Sequence, residues 1–102
     1  GGENIAPREI DDVLYKHEAI LEAAAVGVDD ENYGQEVVAC VVLRDGYECG
    51  EDELKAFCEK GVGSYKSPKT IYFMDDLPKG PSGKILRLQL PALLAKLTAA
   101  KS

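Results

Sequence analysis

Tryptophan is absent, histidine occurs once, and the three cysteines are an odd number with no CxxC pair. Cys40, Cys49 and Cys58 stand nine residues apart and His17 is the only imidazole, so neither a disulfide framework nor a metal centre is expected. Cys40 in an apolar run and Cys58 on a helical apolar face read as small buried residues. No apolar stretch approaches the ~18 residues of a membrane span. With 102 residues there is room for one domain and a modest core, not for a deep cleft with its own lid, so any chemistry is expected at a surface. No signal peptide is recognisable, and a chain opening on Gly1-Gly2-Glu3 reads as a piece of a longer, cytoplasmic protein.

Cations are scarce in the first part of the chain. Residues 1 to 65 carry 5 Lys/Arg against 16 Asp/Glu, whereas residues 66 to 102 carry 7 against 2. Such a chain, with a net charge of −6, would repel a nucleic acid. Lys66, Lys69, Lys79, Lys84 and Arg87 surround the stretch DDLPKGPSGKILR, residues 75 to 87, and favour a small anionic ligand there.

Pro7 followed by Ile10, Val13, Leu14 and His17 predicts an amphipathic helix over 7–18, with Glu9, Asp11 and Asp12 near its positive end. AAAVGV (23–28) and EVVACVVL (36–43) predict two strands, the second apolar enough to be covered on both faces. Glu51, Asp52 and Glu53 open a second helix that Gly61 and Gly63 stop. TIYFM (70–74) predicts a third strand, and Leu88 to Leu97 a last helix with Pro91 in its first turn. The order α, β, β, α, β, loop, α implies an α+β two-layer sandwich, helices packed on a small sheet of about three strands.

The Gly83-Lys84 pair fails as a phosphate-binding P-loop: Pro78 stands where that motif needs glycine, and Ile85 where it needs Ser or Thr. What remains is a loop stiffened by Pro78 and Pro81 and opened by Gly80 and Gly83, presenting Lys84 as a compact cation.

Three segments, GGENIAPREIDDVLYKH (1–17), AAAVGVDDENYGQEVVACVVL (23–43) and YKSPKTIYFMDDLPKGPSGKILR (65–87), together resemble the C-terminal domain of AMP-forming acyl-CoA synthetases, within the adenylate-forming superfamily. The resemblance runs to about residue 97 and makes 1–102 a single C-terminal lid domain. The N-terminal ATP- and acid-binding domain and the hinge residue are expected to precede residue 1, so the isolated domain is expected to be inactive. The implied parent converts a carboxylic acid and Mg-ATP into an acyl-adenylate and pyrophosphate, then lets the thiol of coenzyme A displace AMP. Its partners are the N-terminal domain, ATP, coenzyme A and an acid, with no cofactor bound to this domain alone. The lid alternates between two poses, one for each half-reaction.

Position by position, the resemblance makes Lys84 the catalytic lysine of adenylation, supported by Gly80, Ser82 and Gly83. It places Gly2 in a loop lining the route of the coenzyme A thiol, flanked by Gly1, Glu3 and Asn4. Many relatives carry an aromatic residue and an arginine where this chain has Glu3 and Asn4, so an arginine-to-phosphate contact does not transfer. Lys66, after Tyr65, becomes a candidate contact for the coenzyme A nucleotide; Glu9 serves helix-start electrostatics and His17 caps a helix end. Ser82 and Ile85-Leu86-Arg87 favour a coenzyme A ligase over a peptide-synthetase adenylation domain, and GGENI is reminiscent of medium- and long-chain fatty acyl-CoA synthetases. From another class, a stand-alone anion- or protein-binding module is the alternative.

Overall fold

Pro7 supplies a preset φ and no N–H at the first position of α1 (Pro7–Tyr15), where no intrahelical partner would be available. The computed structural model describes residues 7–30 and 34–101. After α1 come β1 (Ile20–Asp30), β2 (Gly34–Leu43), α2 (Glu51–Val62) and β3 (Thr70–Phe73); a 3-10 turn over Arg87–Gln89 then leads into α3 (Leu90–Lys101). Every expected element is present in the expected order. The first helix ends three residues earlier than its periodicity implies, because the backbone tightens there: Lys16 N–H donates to Val13 and His17 N–H to Leu14. Gly61 does not stop α2; it lies inside the helix, and Gly63 at φ 88° ends it.

β1 pairs antiparallel with β2, and β2 pairs parallel with β3, giving the order β1-β2-β3. The middle strand is buried on both faces, as its near-continuous apolar run requires. Side chains alternate across the sheet and build two cores. Ala23, Ala25, Ala39, Val41 and Ile71 meet Ile10 and Leu14 of α1 and Leu54 and Cys58 of α2. Ala24, Val26, Val38, Cys40 and Val42 meet Leu77 and then Leu90 and Leu94 of α3 on the other face. The fold is the expected α+β class, with the helices divided between the two faces of the sheet.

A bulge sets which side chain serves which face. The β1–β2 register shifts between Ile20 and Glu22, leaving Leu21 extra and half exposed. Ile20 therefore joins Ala23 and Ala25 in the α1/α2 core, and Glu22 falls on the parity of Ala24 and Val26, facing the segment before α3.

α1 and α2 approach so closely that a Cβ added to Gly61 would sit 2.6 and 2.7 Å from the two Cγ atoms of Val13. Replacing a helical glycine by alanine ordinarily stabilises by about 1 kcal/mol. Val13 is stiff at χ1, and overpacking a close contact costs about 1–3 kcal/mol, so the steric effect wins. Gly61→Ala is expected to lose about 1 kcal/mol, read as a lower urea midpoint at unchanged slope; a raised midpoint would show that the helices separate freely. The cysteines yield a second test. Burial pushes the thiols of Cys40, Cys49 and Cys58 up to about 11, with the hydrogen bond and charge of Glu53 adding to the effect at Cys49. Half-buried Cys49 should thus react with iodoacetamide at pH 7.5 roughly 100-fold more slowly than a free cysteine, and gain about tenfold per pH unit above that. Labelling at the free-thiol rate would mean that the site opens readily.

Candidate functional site: the Lys84 hairpin

The stretch from Pro78 to Leu86 folds back on itself. Lys79 and Ile85 form an antiparallel bridge, Leu86 N–H donates to Pro78 at 2.8 Å and Gly80 N–H to Lys84 O at 3.0 Å. Across the tip Gly83 N–H donates to Gly80 O at 3.0 Å. Gly83 has φ 86°, while no non-glycine residue among those described has positive φ. This is a type I turn with Pro81 at its favoured position and Ser82 next, closed by a left-handed glycine in a three-residue hairpin loop. Leu77 before it and Leu90 after it are buried in the α3-side core, and Ile85 packs against that core from within the hairpin. The apolar residues around the loop thus anchor it, and the Gly-Pro-Ser-Gly sequence supplies the turn.

Of the loop's three cations, two are neutralised. Lys79 Nζ lies 2.6 Å from Asp76 Oδ1 and 2.9 Å from Glu22 Oε1, and donates to Leu77 O at 3.2 Å. The hydrogen bonds that Lys79 donates to Asp76 and then to Glu22 hold its ammonium above its ordinary pKa, and Lys79 in turn holds the Asp76 carboxyl below its own. Arg87 donates through one terminal nitrogen to Ala25 O at 2.6 Å and through the other to Asp11 Oδ2 at 2.7 Å. Lys84 is exposed, and its side chain has no hydrogen-bond or ion-pair partner among the described residues. Of the five cations expected to surround this stretch, the hairpin and its flank therefore hold Lys84, uncompensated among the described residues, between paired Lys79 and Arg87, while Lys66 pairs with Glu9 and Lys69 is exposed.

Asp11 is the residue that sequence reasoning misread. Far from serving only the positive end of α1, it is 8% exposed and accepts the Ala25 N–H at 2.6 Å with Oδ1 while Oδ2 takes Arg87. Ala25 lies on β1, an edge strand, and both its backbone groups face away from β2. Two residues earlier Ala23 N–H, on the same edge, donates to Tyr15 Oη at 3.2 Å. Asp11 and Tyr15 are four apart on α1 and so share a face, which is how one short helix caps alternate residues of one strand. The available signal was an acidic residue followed four positions on by tyrosine in a helix, too common to single out.

The other expected positions are less convergent. Gly1, Gly2, Glu3 and Asn4 lie outside the described residues. Lys66 joins Glu9 at 3.1 Å, an exposed pair beside an open recess lined by Asp12, Val13, Gly61 and Val62, and not the Lys84 hairpin. Tyr65 is exposed. The His17 ring caps no helix carbonyl: Ala19 N–H donates to its Nδ1 at 3.1 Å, which leaves the proton on Nε2 to be donated to Glu53 at 3.1 Å. Phe57 stacks edge-on at 4.8 Å. Cys49 Sγ approaches the same Nε2 at 3.9 Å, and a nitrogen carrying its proton offers no lone pair to a metal. The trio ties α1, the start of β1 and α2 together.

The family model for the AMP-binding enzyme C-terminal domain matches residues 9–84. A sulfoacetate–CoA ligase of Cupriavidus necator is 57% identical over 90 residues, covering 88% of this chain and 18% of that protein. A 2-succinylbenzoate–CoA ligase of Geobacillus is 48% identical over 94 residues, covering 92% and 19%. Among solved structures, a Mycobacterium tuberculosis fatty acyl CoA synthetase superposes with a TM-score of 0.86 at 33% identity, covering 95% of this chain and 19% of that one. The Bacillus subtilis o-succinylbenzoate CoA synthetase in complex with its acyl-adenylate intermediate gives 0.80 at 38% identity, covering 88% and 18%. The chain spans about a fifth of the length of these relatives. On the family model, the identities and the shared fold, it belongs to the AMP-binding enzyme C-terminal domain family, the C-terminal domain of adenylate-forming enzymes.

Proposed function

We propose that this chain is the mobile lid of an ATP-dependent, AMP-forming carboxylic acid–CoA ligase, and that Lys84 is the cation it inserts during adenylation. The observation that carries this reading is the hairpin: a tight turn with one exposed lysine, unpaired among the described residues, between two cations already neutralised by carboxylates. In the first half-reaction a carboxylate oxygen attacks the α-phosphorus of ATP. The new P–O bond forms as the bond to the pyrophosphate leaving group breaks. Two anions converge, and an ammonium placed between them offsets the repulsion and the charge growing on the phosphoryl oxygens. The lysine transfers no proton. In the second half-reaction the sulfur of coenzyme A attacks the acyl carbon, AMP leaves, and the thiol proton is lost; Gly2 and its neighbours Gly1, Glu3 and Asn4 would line that approach, with Lys66 near the coenzyme A nucleotide.

The similar proteins are named for acids as unlike as sulfoacetate, 2-succinylbenzoate and medium-chain acyl groups, yet share about half their residues with this chain over the matched region. The acid is accordingly proposed by its carboxylate alone. Ser82 and the Ile85-Leu86-Arg87 sequence favour coenzyme A as acceptor over a carrier-bound thiol. None of the described helices is long and apolar enough to cross a membrane.

In the full-length enzyme carrying this domain, Lys84→Ala is expected to slow acyl-adenylate formation, measured by pyrophosphate exchange, roughly 10²–10³-fold. Thioester formation from supplied acyl-adenylate and coenzyme A should fall far less. Equal losses in both halves would mean that the lysine's role is misassigned. Gly2→Leu is expected to show the opposite pattern, with thioester formation suffering and exchange retained; loss of exchange to the same degree would remove the glycine loop from the thiol route.

A further inference from the structure

We infer that Asp11 and Arg87 are a positioning pair for Lys84, fixing where the hairpin stands so that a flexible lysine side chain starts from a defined backbone point. The inference rests on the adenylation reading of Lys84. A lysine reaches its target through four rotatable bonds, and nothing among the described residues holds its ammonium. What the protein can fix is the Cα, and a misplacement of about 1 Å is enough to cost on the order of 10²-fold in rate.

The hairpin is rigid by its own turn, but its placement on the domain is a separate matter. The leading leg is fixed by Lys79 on Glu22 and by buried Leu77. The trailing leg carries Lys84, and three residues on, Arg87 closes a ring: Arg87 to Asp11, Asp11 to the N–H of Ala25, and the C=O of Ala25 back to Arg87, at 2.7, 2.6 and 2.6 Å. The guanidinium passes around the edge of β1, from the face that carries α3 to the face that carries α1. The ring needs two donors in a fixed planar fork, which arginine has and lysine does not. It also ties the hairpin to the middle of β1, whose neighbours Ala23, Ala24 and Val26 are buried.

The test is a double-mutant cycle on adenylate formation in the full-length enzyme, comparing wild type, Lys84→Ala, Arg87→Gln and the double variant, with rates taken per folded enzyme. If Arg87 acts through Lys84, Arg87→Gln alone slows adenylation tenfold or more, the double variant is within about twofold of Lys84→Ala, and Arg87→Lys recovers only part of the loss. Losses that multiply in the double variant, or an Arg87→Gln enzyme as fast as wild type, overturn the positioning role while leaving that of Lys84 intact. A Lys84→Ala enzyme that adenylates at full rate overturns the reading of the lysine itself, and the pair with it. Should Arg87→Gln fail to fold, Asp11→Asn enters the same cycle, since its Oδ1 still accepts the Ala25 N–H while the charge that holds Arg87 is gone.

Discussion

Asp11 accepts a backbone hydrogen bond from Ala25 through one oxygen and a guanidinium hydrogen bond from Arg87 through the other, at the free edge of a three-stranded sheet. An edge strand exposes N–H and C=O groups that water or another strand must satisfy. Here a carboxylate and a guanidinium play the part of a neighbouring peptide. Because they come from α1 and from the turn before α3, satisfying the edge also joins the two helical faces. The opposite edge is treated the same way in a smaller form: Glu51, in the first turn of α2, accepts the N–H of Ile71 on β3 at 3.0 Å.

Those edge contacts explain how an acidic domain presents a lysine cleanly. Carboxylates that the sequence places at helix starts are spent in the fold on backbone N–H groups, on His17 and on Arg87, while Glu22 of β1 and Asp76 hold Lys79. A domain of net charge −6 thereby presents one ammonium at the hairpin with no partner among the described residues. Exposed pairs of this kind add little to stability, whereas a partly buried pair that also satisfies backbone groups is strongly destabilising to break. Lys79 with Asp76 belongs closer to the first kind, Lys79 with Glu22 and Asp11 with Arg87 to the second. The pairing around the loop is about placement and electrostatic selection as much as about holding the chain folded.

Much of this was legible in the residues. β-branched runs, the Asp-Gly turn, Pro7 and Pro91 in first turns and the acidic start of α2 each act locally, so the elements appear in the expected order with ends shifted by only a few residues. The Lys84 loop was legible for the same reason: Pro81, Ser82 and Gly83 encode their turn within a few residues, and the family model's match, residues 9–84, takes in that turn. Asp11 was not legible as an edge cap, nor His17 as a bridge. Their partners lie 76 and 36 residues away, beyond any periodic pattern. The bulge at Leu21, which puts Ile20 and Glu22 on opposite faces, leaves no mark in an apolar run.

What the sequence by itself determined is whatever short-range chemistry dictates: three helices, three strands, a stiff turn with a lysine at its base, and a family signature carried by that turn. Only the tertiary structure decided which charges remain available. An ion pair depends on the distance between two side chains, and that distance is set when α1, β1 and the turn before α3 pack together. Lys79, Lys84 and Arg87 look alike in the sequence; β1 engages the first through Glu22 and, together with Asp11 of α1, the last through Ala25, while Lys84 has no partner among the described residues.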